Sequence, residues 1–394
     1  MPSTSELRQD LALARAHTDE LFQLLDPAAM YDRPIPERHR IIFYLGHLEA
    51  FDWNQIARLE LDTPSFHPKF DQLFEAGIDP EPGKAPADKP SDWPKLREVA
   101  DYKNRVRETV DGLWDNASPD VRQMAIEHRE MHAETFCYML HNLEHEKKRD
   151  KNAARASDTV AEATGHRPEM ISIPSGDAIL GKRTGDGFGW DNEFQQVIRN
   201  VPAFAIGKYK ITNGEYLEFV NEGAAARHYV PHYWVRRDGN WFYRGMFEEI
   251  PLPLDWPVYV SRQEAAAYAE WKGKSLPTEA QFQRAAYGTA RGTPDGTTNG
   301  TPATARGNFD YERWEPVPVN GSPESDSAFG VSQLVGNGWE ATSTVFAPFE
   351  GFAPSPTYPG YSANFFDNSH YVVKGASPRT SSRLVRPSFR NWFR

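Results

Sequence analysis

Along residues 118–148 the apolar positions recur at helical spacing. Val121, Met124, Met131, Met139 and Leu143 form a stripe, and the stripe runs through His128 and His132. Ser118 suits an N-cap and Pro119 the first helical position, so the pattern predicts a helix with both imidazoles facing inward. His141 and His145 repeat the same spacing and serve as an internal control. His141 lies about 220° around the helix from His128, which places the second pair on a solvated face. Similar periodicity predicts helices over 5–25, 36–61 and 93–116, so the N-terminal part reads as a four-helix bundle. The helix over 36–61 carries His47 on a face shared with Phe43, Tyr44 and Phe51.

A lone inward histidine is usually a hydrogen-bonded core residue. Three of them, from two helices of one bundle, point instead to a facial metal site held by His47, His128 and His132. Glu134 lies about 200° from His132 on the same helix, so it is expected to support the site rather than ligate.

The pattern weakens after the second helix and changes character after residue 167. Residues 66–92 form a long, proline-rich connection with little periodicity, of the kind that is usually functional. Residues 151–167 are small and polar, as expected of a linker. Beyond them glycine, proline and aromatics rise, with short strands predicted over 169–174, 201–208, 241–242 and 371–374 and helices over 212–222, 261–271 and 278–287. The division expected is a bundle over 1–155, a linker over 156–167 and an α+β domain over 168–394.

Composition narrows the function classes. The 394 residues suffice for two cores, and the net charge of -11, from 44 basic and 55 acidic residues, argues against nucleic acid or anionic membrane as a partner. The absence of a long apolar run or a signal-peptide core leads us to expect a cytoplasmic protein with no membrane partner. A single cysteine, Cys137, leaves no internal disulfide and no cysteine-based zinc cluster. It sits among apolar helical residues and reads as core.

Several strings in the second half carry a resemblance. They are M-I-S-I-P-S-G from Met170, F-G-W-D-N-E from Phe188, I-T-N-G-E-Y from Ile211, W-P-V-Y-V-S-R-Q-E-A-A-A-Y-A-E-W-K-G-K-S-L-P-T-E-A-Q-F from Trp256, and G-N-G-W-E-A-T from Gly336. Together they resemble the formylglycine-generating-enzyme type of domain, related to the C-type-lectin fold. The copper-binding cysteines of formylglycine chemistry are absent from this half. Fused behind a DinB-like bundle containing H-x-x-x-H-x-E, the domain resembles the ergothioneine-type sulfoxide synthases, which are mononuclear nonheme iron enzymes. Here the motif stands as His128, His132 and Glu134, with His47 in G-H-L-E-A-F upstream.

Within that family the strings Y-D-R-P-I-P-E-R-H-R from Tyr31, G-I-D-P-E-P-G from Gly77 and R-P-S-F-R-N-W-F-R from Arg386 look most like the selenoneine-type and ovothiol-type members. Ovothiol enzymes usually carry a methyltransferase domain behind this point, so the resemblance leans toward selenoneine synthase. It implies Fe(II), O2 as co-substrate, hercynine as acceptor, and a selenosugar or thiol donor. Tyr361 best matches the family's catalytic tyrosine. Asn391, Trp392 and Phe393 match positions that hold hercynine, where an aromatic face would attract the trimethylammonium group. Met131 stands where a glutamine is often found, which implies altered substrate contacts. Trp392 and Phe393 can equally be core of a terminal strand. Two rivals remain: a DinB-type zinc transferase or hydrolase using the same histidines, and a lectin-like binding module fused to a structural bundle.

Overall fold

Ser3 and Ser118 cap the first and last helices of the N-terminal half. Ser3 forms a reciprocal capping box with Glu6, and the Ser118 hydroxyl accepts the Val121 N–H; such caps contribute about 1 kcal/mol each. The computed structural model describes residues 2–78, 86–149, 165, 167–222, 228–289 and 306–394. It divides into two units, Met1–Ala153 and Ala154–Arg394. The expected linker over 156–167 lies outside the described residues, apart from 165 and 167.

In the first unit the long helices are α1 (Thr4–Gln23), α2 (Ile41–Asp52), α4 (Leu96–Leu113) and α5 (Pro119–Asn142), with a short α3 (Pro68–Ala76) between α2 and α4. α1 packs on α5, and α2 packs on α3, α4 and α5. The predicted helix over 36–61 begins later, at Ile41, after Arg40 in extended conformation, and its last turns, Trp53–Glu60, are π-helical. The helix α3 falls inside the segment expected to lack periodicity. It is nine residues long, with Pro68 in its first turn and the His67 ring accepting the Phe70 N–H at 3.2 Å.

His141 is buried, not solvated. The reason is that α5 buries almost its whole circumference, including Arg122, Glu127, Arg129 and Glu130, so its polar positions do not mark a wet face. The fully buried Arg129 is matched by acids from α2: its guanidinium donates to Glu49 at 3.1 and 3.2 Å and to Asp52 at 2.7 Å. Burial alone would raise Glu49, yet Arg129 and Arg107 hold it down at about 2. Removing one member of such a network costs about 3–5 kcal/mol, because a buried charge is left uncompensated.

The second unit joins α6 (Asn213–Glu222), α7 (Arg262–Trp271) and α8 (Glu279–Tyr287) to small antiparallel sheets. Among the described residues these pair β1 (Met170–Ile173) with β4 (Phe204–Gly207), β2 (Gly176–Leu180) with β3 (Val197–Val201), β5 (Trp234–Arg237) with β6 (Asn240–Arg244) and β7 (Glu249–Pro251), and β8 (Gly338–Val345) with β9 (Tyr371–Ala376) and β10 (Asn391–Phe393). The chain is therefore α+β. The predicted strand over 201–208 is two strands in different sheets, broken at Pro202, which has no N–H for a ladder. Ser261 and Thr278 cap α7 and α8 with reciprocal boxes. Gly336 and Asn337 take positive φ values of 91° and 62° in the turn into β8.

Candidate functional site

The helix α2 brings His47 to the bundle interior, and the i, i+4 spacing on α5 stacks His128 and His132 on one face. His47 and His128 are buried and His132 is half-buried. Their ring centroids lie 4.4 to 5.2 Å apart, and His47 Nε2 is 3.2 Å from His132 Nε2. One nitrogen from each ring falls within 4.8 Å of the others. Phe51 lies flat on His128 at 3.4 Å, and Phe43 stacks on His47 at 4.7 Å.

Protonation is disfavoured at all three rings. Burial lowers His47 to about 4, and it lowers His128 and His132 well below the ordinary imidazole value, helped at His128 by His132, His47 and Arg129 and at His132 by His47, Arg38 and Arg129. Each ring is therefore neutral and keeps one lone pair. For His47 the structure decides which nitrogen. Nδ1 lies 2.7 Å from the Phe74 carbonyl, which can only accept, so Nδ1 carries the proton and Nε2 faces the other histidines with its lone pair. Three neutral nitrogens converging in an aromatic-walled recess fit a divalent transition metal. Among the described residues no carboxylate or thiol joins the cluster. Glu134 instead accepts the Tyr138 hydroxyl at 2.6 Å, and Met131 is half-buried one position before His132.

In the second unit Tyr361 and Trp392 meet edge to face, with centroids 5.4 Å apart. Trp190 stacks on Tyr361 at 4.1 Å and Phe346 on Trp392 at 4.4 Å. On β10, Asn391 and Phe393 alternate with Trp392 and so project to the opposite face. Phe393 is 39% exposed, and the Asn391 side-chain oxygen accepts the Trp392 N–H at 2.9 Å. Tyr361 and Trp392 are thus brought together, while Asn391 and Phe393 stand apart from that pair.

The segment before Trp93 is tied down by a buried acid. Asp88 receives the guanidinium groups of Arg33 and Arg40 and, at 2.7 Å, the Trp93 indole N–H. Its charge is consumed internally. Asp92 accepts the Lys89 N–H at 2.7 Å, and Asp79, Glu81 and Lys84 lie outside the described residues.

Sequence reasoning missed α3 and the role of its Phe74 carbonyl. The available signal was His67-Pro68 followed by Phe70, Leu73 and Phe74 at helical spacing.

A family model for the DinB superfamily matches residues 10–149, and one for the sulfatase-modifying factor enzyme 1-like domain matches residues 156–394. Hercynine oxygenase of Mycolicibacterium smegmatis is 30% identical over 100% of this chain and 96% of its own length. The chain belongs to the ergothioneine-type sulfoxide synthase family. Two proteins named ergothioneine biosynthesis protein 1, from Schizosaccharomyces pombe and Neurospora crassa, are each 27% identical over 94% of this chain. The chain spans about half the length of these fungal family members, 52% and 54% respectively. No helix among the described residues is long and apolar enough to cross a membrane.

Proposed function

We propose that this chain is a nonheme Fe(II), O2-dependent synthase that forms a carbon–selenium or carbon–sulfur bond at the imidazole C2 of hercynine, with a selenosugar as the preferred donor. The observation that carries the proposal is the convergence of His47, His128 and His132, neutral and with the His47 lone pair already turned inward. These histidines would hold the iron. Fe(II), when bound, supplies coordination sites for a soft chalcogen, an imidazole and O2 together. Relatives named for hercynine and for ergothioneine biosynthesis support the acceptor.

The roles of the remaining residues follow from their chemistry. Trp392, stacked on Phe346, offers an aromatic face to a trimethylammonium group, an interaction worth about 2 kcal/mol when desolvated. Asn391 and Phe393 project from the face of β10 opposite Trp392, so the contact with the trimethylammonium group is assigned to Trp392 alone. Tyr361, buried between Trp190 and Trp392, would move a proton from its hydroxyl. Support for a neutral donor comes from Asp88, whose carboxylate occupies the guanidinium groups of Arg33 and Arg40 and offsets one of their two charges, so that neither is free to act as a carboxylate clamp.

Anaerobic Fe(II) reconstitution followed by mass spectrometry with hercynine and, in turn, γ-glutamylcysteine, cysteine and a selenosugar tests the proposal. A selenium adduct of hercynine is the expected product. Turnover with zinc but not iron would replace this assignment with a DinB-type zinc enzyme, and a stable metal-free chain without turnover would favour a binding module.

A further inference from the structure

The hydrogen bond that orients His47 comes from the end of a helix. The Phe74 carbonyl belongs to the last turn of α3, where C=O groups have no partner within the helix. Gly77 N–H takes the Leu73 carbonyl at 2.8 Å, and the next carbonyl, that of Phe74, receives His47 Nδ1–H at 2.7 Å. Partial negative charge at a helix C-terminus strengthens such an acceptor.

Two glycines permit the approach. A Cβ on Gly46 of α2 would lie 2.3 to 2.5 Å from ring carbons of Phe74, itself 0% exposed, so any larger residue forces α3 away from α2. Just past α3, Gly77 has φ of 81°, and a Cβ there would meet the His39 ring at 2.4 Å. His39 packs on Phe43 at 4.3 Å, the ring that stacks on His47. The first half of α3 is pinned separately by the buried Asp71, which accepts the Trp53 indole N–H at 3.0 Å and the Tyr102 hydroxyl at 2.8 Å.

We infer that α3 is a positioning element for the metal centre. Its Phe74 carbonyl sets which His47 nitrogen carries the proton and where the ring points, and Gly46 is the residue that lets it come close enough. The inference rests on the assignment of His47, His128 and His132 as metal ligands. Histidine ligands are oriented by their second N–H, and loss of that partner typically costs roughly 10–100-fold in metal affinity.

The test uses the full chain, freed of metal and titrated with Co(II) against a chromophoric chelator. Gly46→Ala should bind roughly 10–100-fold more weakly, with an altered Co(II) visible spectrum. Gly112→Ala, on α4 with nothing within 4 Å of the added Cβ, should match the wild type. Adding Phe74→Ala to Gly46→Ala removes the obstructing ring but keeps the carbonyl, and should restore affinity. Asp71→Asn, which loosens α3 through its bonds to Trp53 and Tyr102 and leaves Gly46 in place, should also weaken binding and decides the matter if Gly46→Ala does not fold. Wild-type affinity in folded Gly46→Ala or Asp71→Asn, or no recovery in the folded double variant, would overturn the inference. Nitrogen-15 spectra of the metal-free wild type separate it from the ligand assignment. A His47 ring protonated at Nδ1 in a chain that binds no divalent metal would overturn the ligand assignment and leave in place only the hold of the Phe74 carbonyl on the ring. Protonation at Nε2 instead would overturn the positioning role whatever the metal does.

Discussion

Arg390 and Glu279 form a two-point ion pair, with Nε–Oε1 at 2.8 Å and Nη2–Oε2 at 3.1 Å, and both residues are buried. The same guanidinium lies 4.0 Å from the Phe349 ring centroid and 5.2 Å from that of Phe346, the ring on which Trp392 stacks. The glutamate of the L-P-T-E string thereby anchors the strand that carries Trp392.

Cutting that anchor on one side should be costly. Arg390→Met leaves a buried carboxylate unpaired, and about 3–5 kcal/mol of unfolding free energy should be lost. Pairing it with Glu279→Leu should recover most of the loss. Urea unfolding of the two variants checks this, and a double variant no more stable than the single one would contradict it.

Metal loading should separate two histidines of the same helix. His128→Ala is expected to abolish retention of iron, measured by elemental analysis after reconstitution. His141→Ala removes a buried side chain away from the cluster, so it should lower the melting temperature, at a cost of roughly 0.5–3 kcal/mol, and keep the metal. Equal metal loss from both variants would refute the assignment.

The difference between those two histidines shows what could be inferred from the chain alone. His128 and His132 were visible because a four-residue repeat on an apolar stripe has one structural meaning. The burial of His141 was not, because Glu127, Arg129 and Glu130 look like a solvated face until Glu49 and Asp52 are placed opposite Arg129. The Phe74 carbonyl was illegible for a different reason: a backbone acceptor has no side-chain signature, and α3 is too short for its period to stand out. In the second unit β2, β5, β7 and β8 went unforeseen, since most are only three to five residues long. Tyr361 and Trp392 were singled out by family resemblance, and their edge-to-face contact emerged only from the fold.

Alkaline pH should stabilise the chain through Lys374. Burial lowers this ammonium to about 8, from an ordinary value near 10.5. Between those values the unfolded chain binds more protons than the folded one, so stability rises with pH across the window, by up to about 3 kcal/mol. Below pH 8 both states are protonated and the burial penalty is present in full. Chemical unfolding at pH 8 and pH 10 should show the wild type gaining relative to Lys374→Met. The same pH dependence in both would disprove the attribution.

Tyr361 and Trp392 should affect different kinetic constants. Tyr361→Phe preserves the ring between Trp190 and Trp392, so kcat should fall by roughly 10²–10⁴ with little change in KM if the hydroxyl moves a proton. Trp392→Leu removes the aromatic face and should mainly raise the KM for hercynine. Wild-type kcat in Tyr361→Phe would remove that role.

Donor choice is expected to depend on how Asp88 is used. Four acids in the segment before Trp93 suggest simple repulsion of an anionic dipeptide, but Asp88 is buried and spends its charge on Arg33 and Arg40. Its effect is to occupy two guanidinium groups that could otherwise bind carboxylates. Trp93 contacts Asp88 and lies 6.1 Å from Phe43, the ring stacked on His47, so this cluster adjoins the histidines rather than a distant surface. With Asp88 in place, a selenosugar should have a higher kcat/KM than γ-glutamylcysteine, with cysteine intermediate. Asp88→Asn keeps the shape and removes the one negative charge that offsets Arg33 and Arg40, raising the net charge of the cluster from +1 to +2. A charge-assisted hydrogen bond is worth about 1.5–3 kcal/mol, so the variant should improve use of γ-glutamylcysteine by roughly tenfold or more at unchanged metal content. Competition assays at equal donor concentration provide the measurement. A wild-type preference for γ-glutamylcysteine would reject the sugar donor while leaving the iron centre and the hercynine acceptor in place, and an Asp88→Asn variant with unaltered donor ratios would show that these arginines do not select the donor.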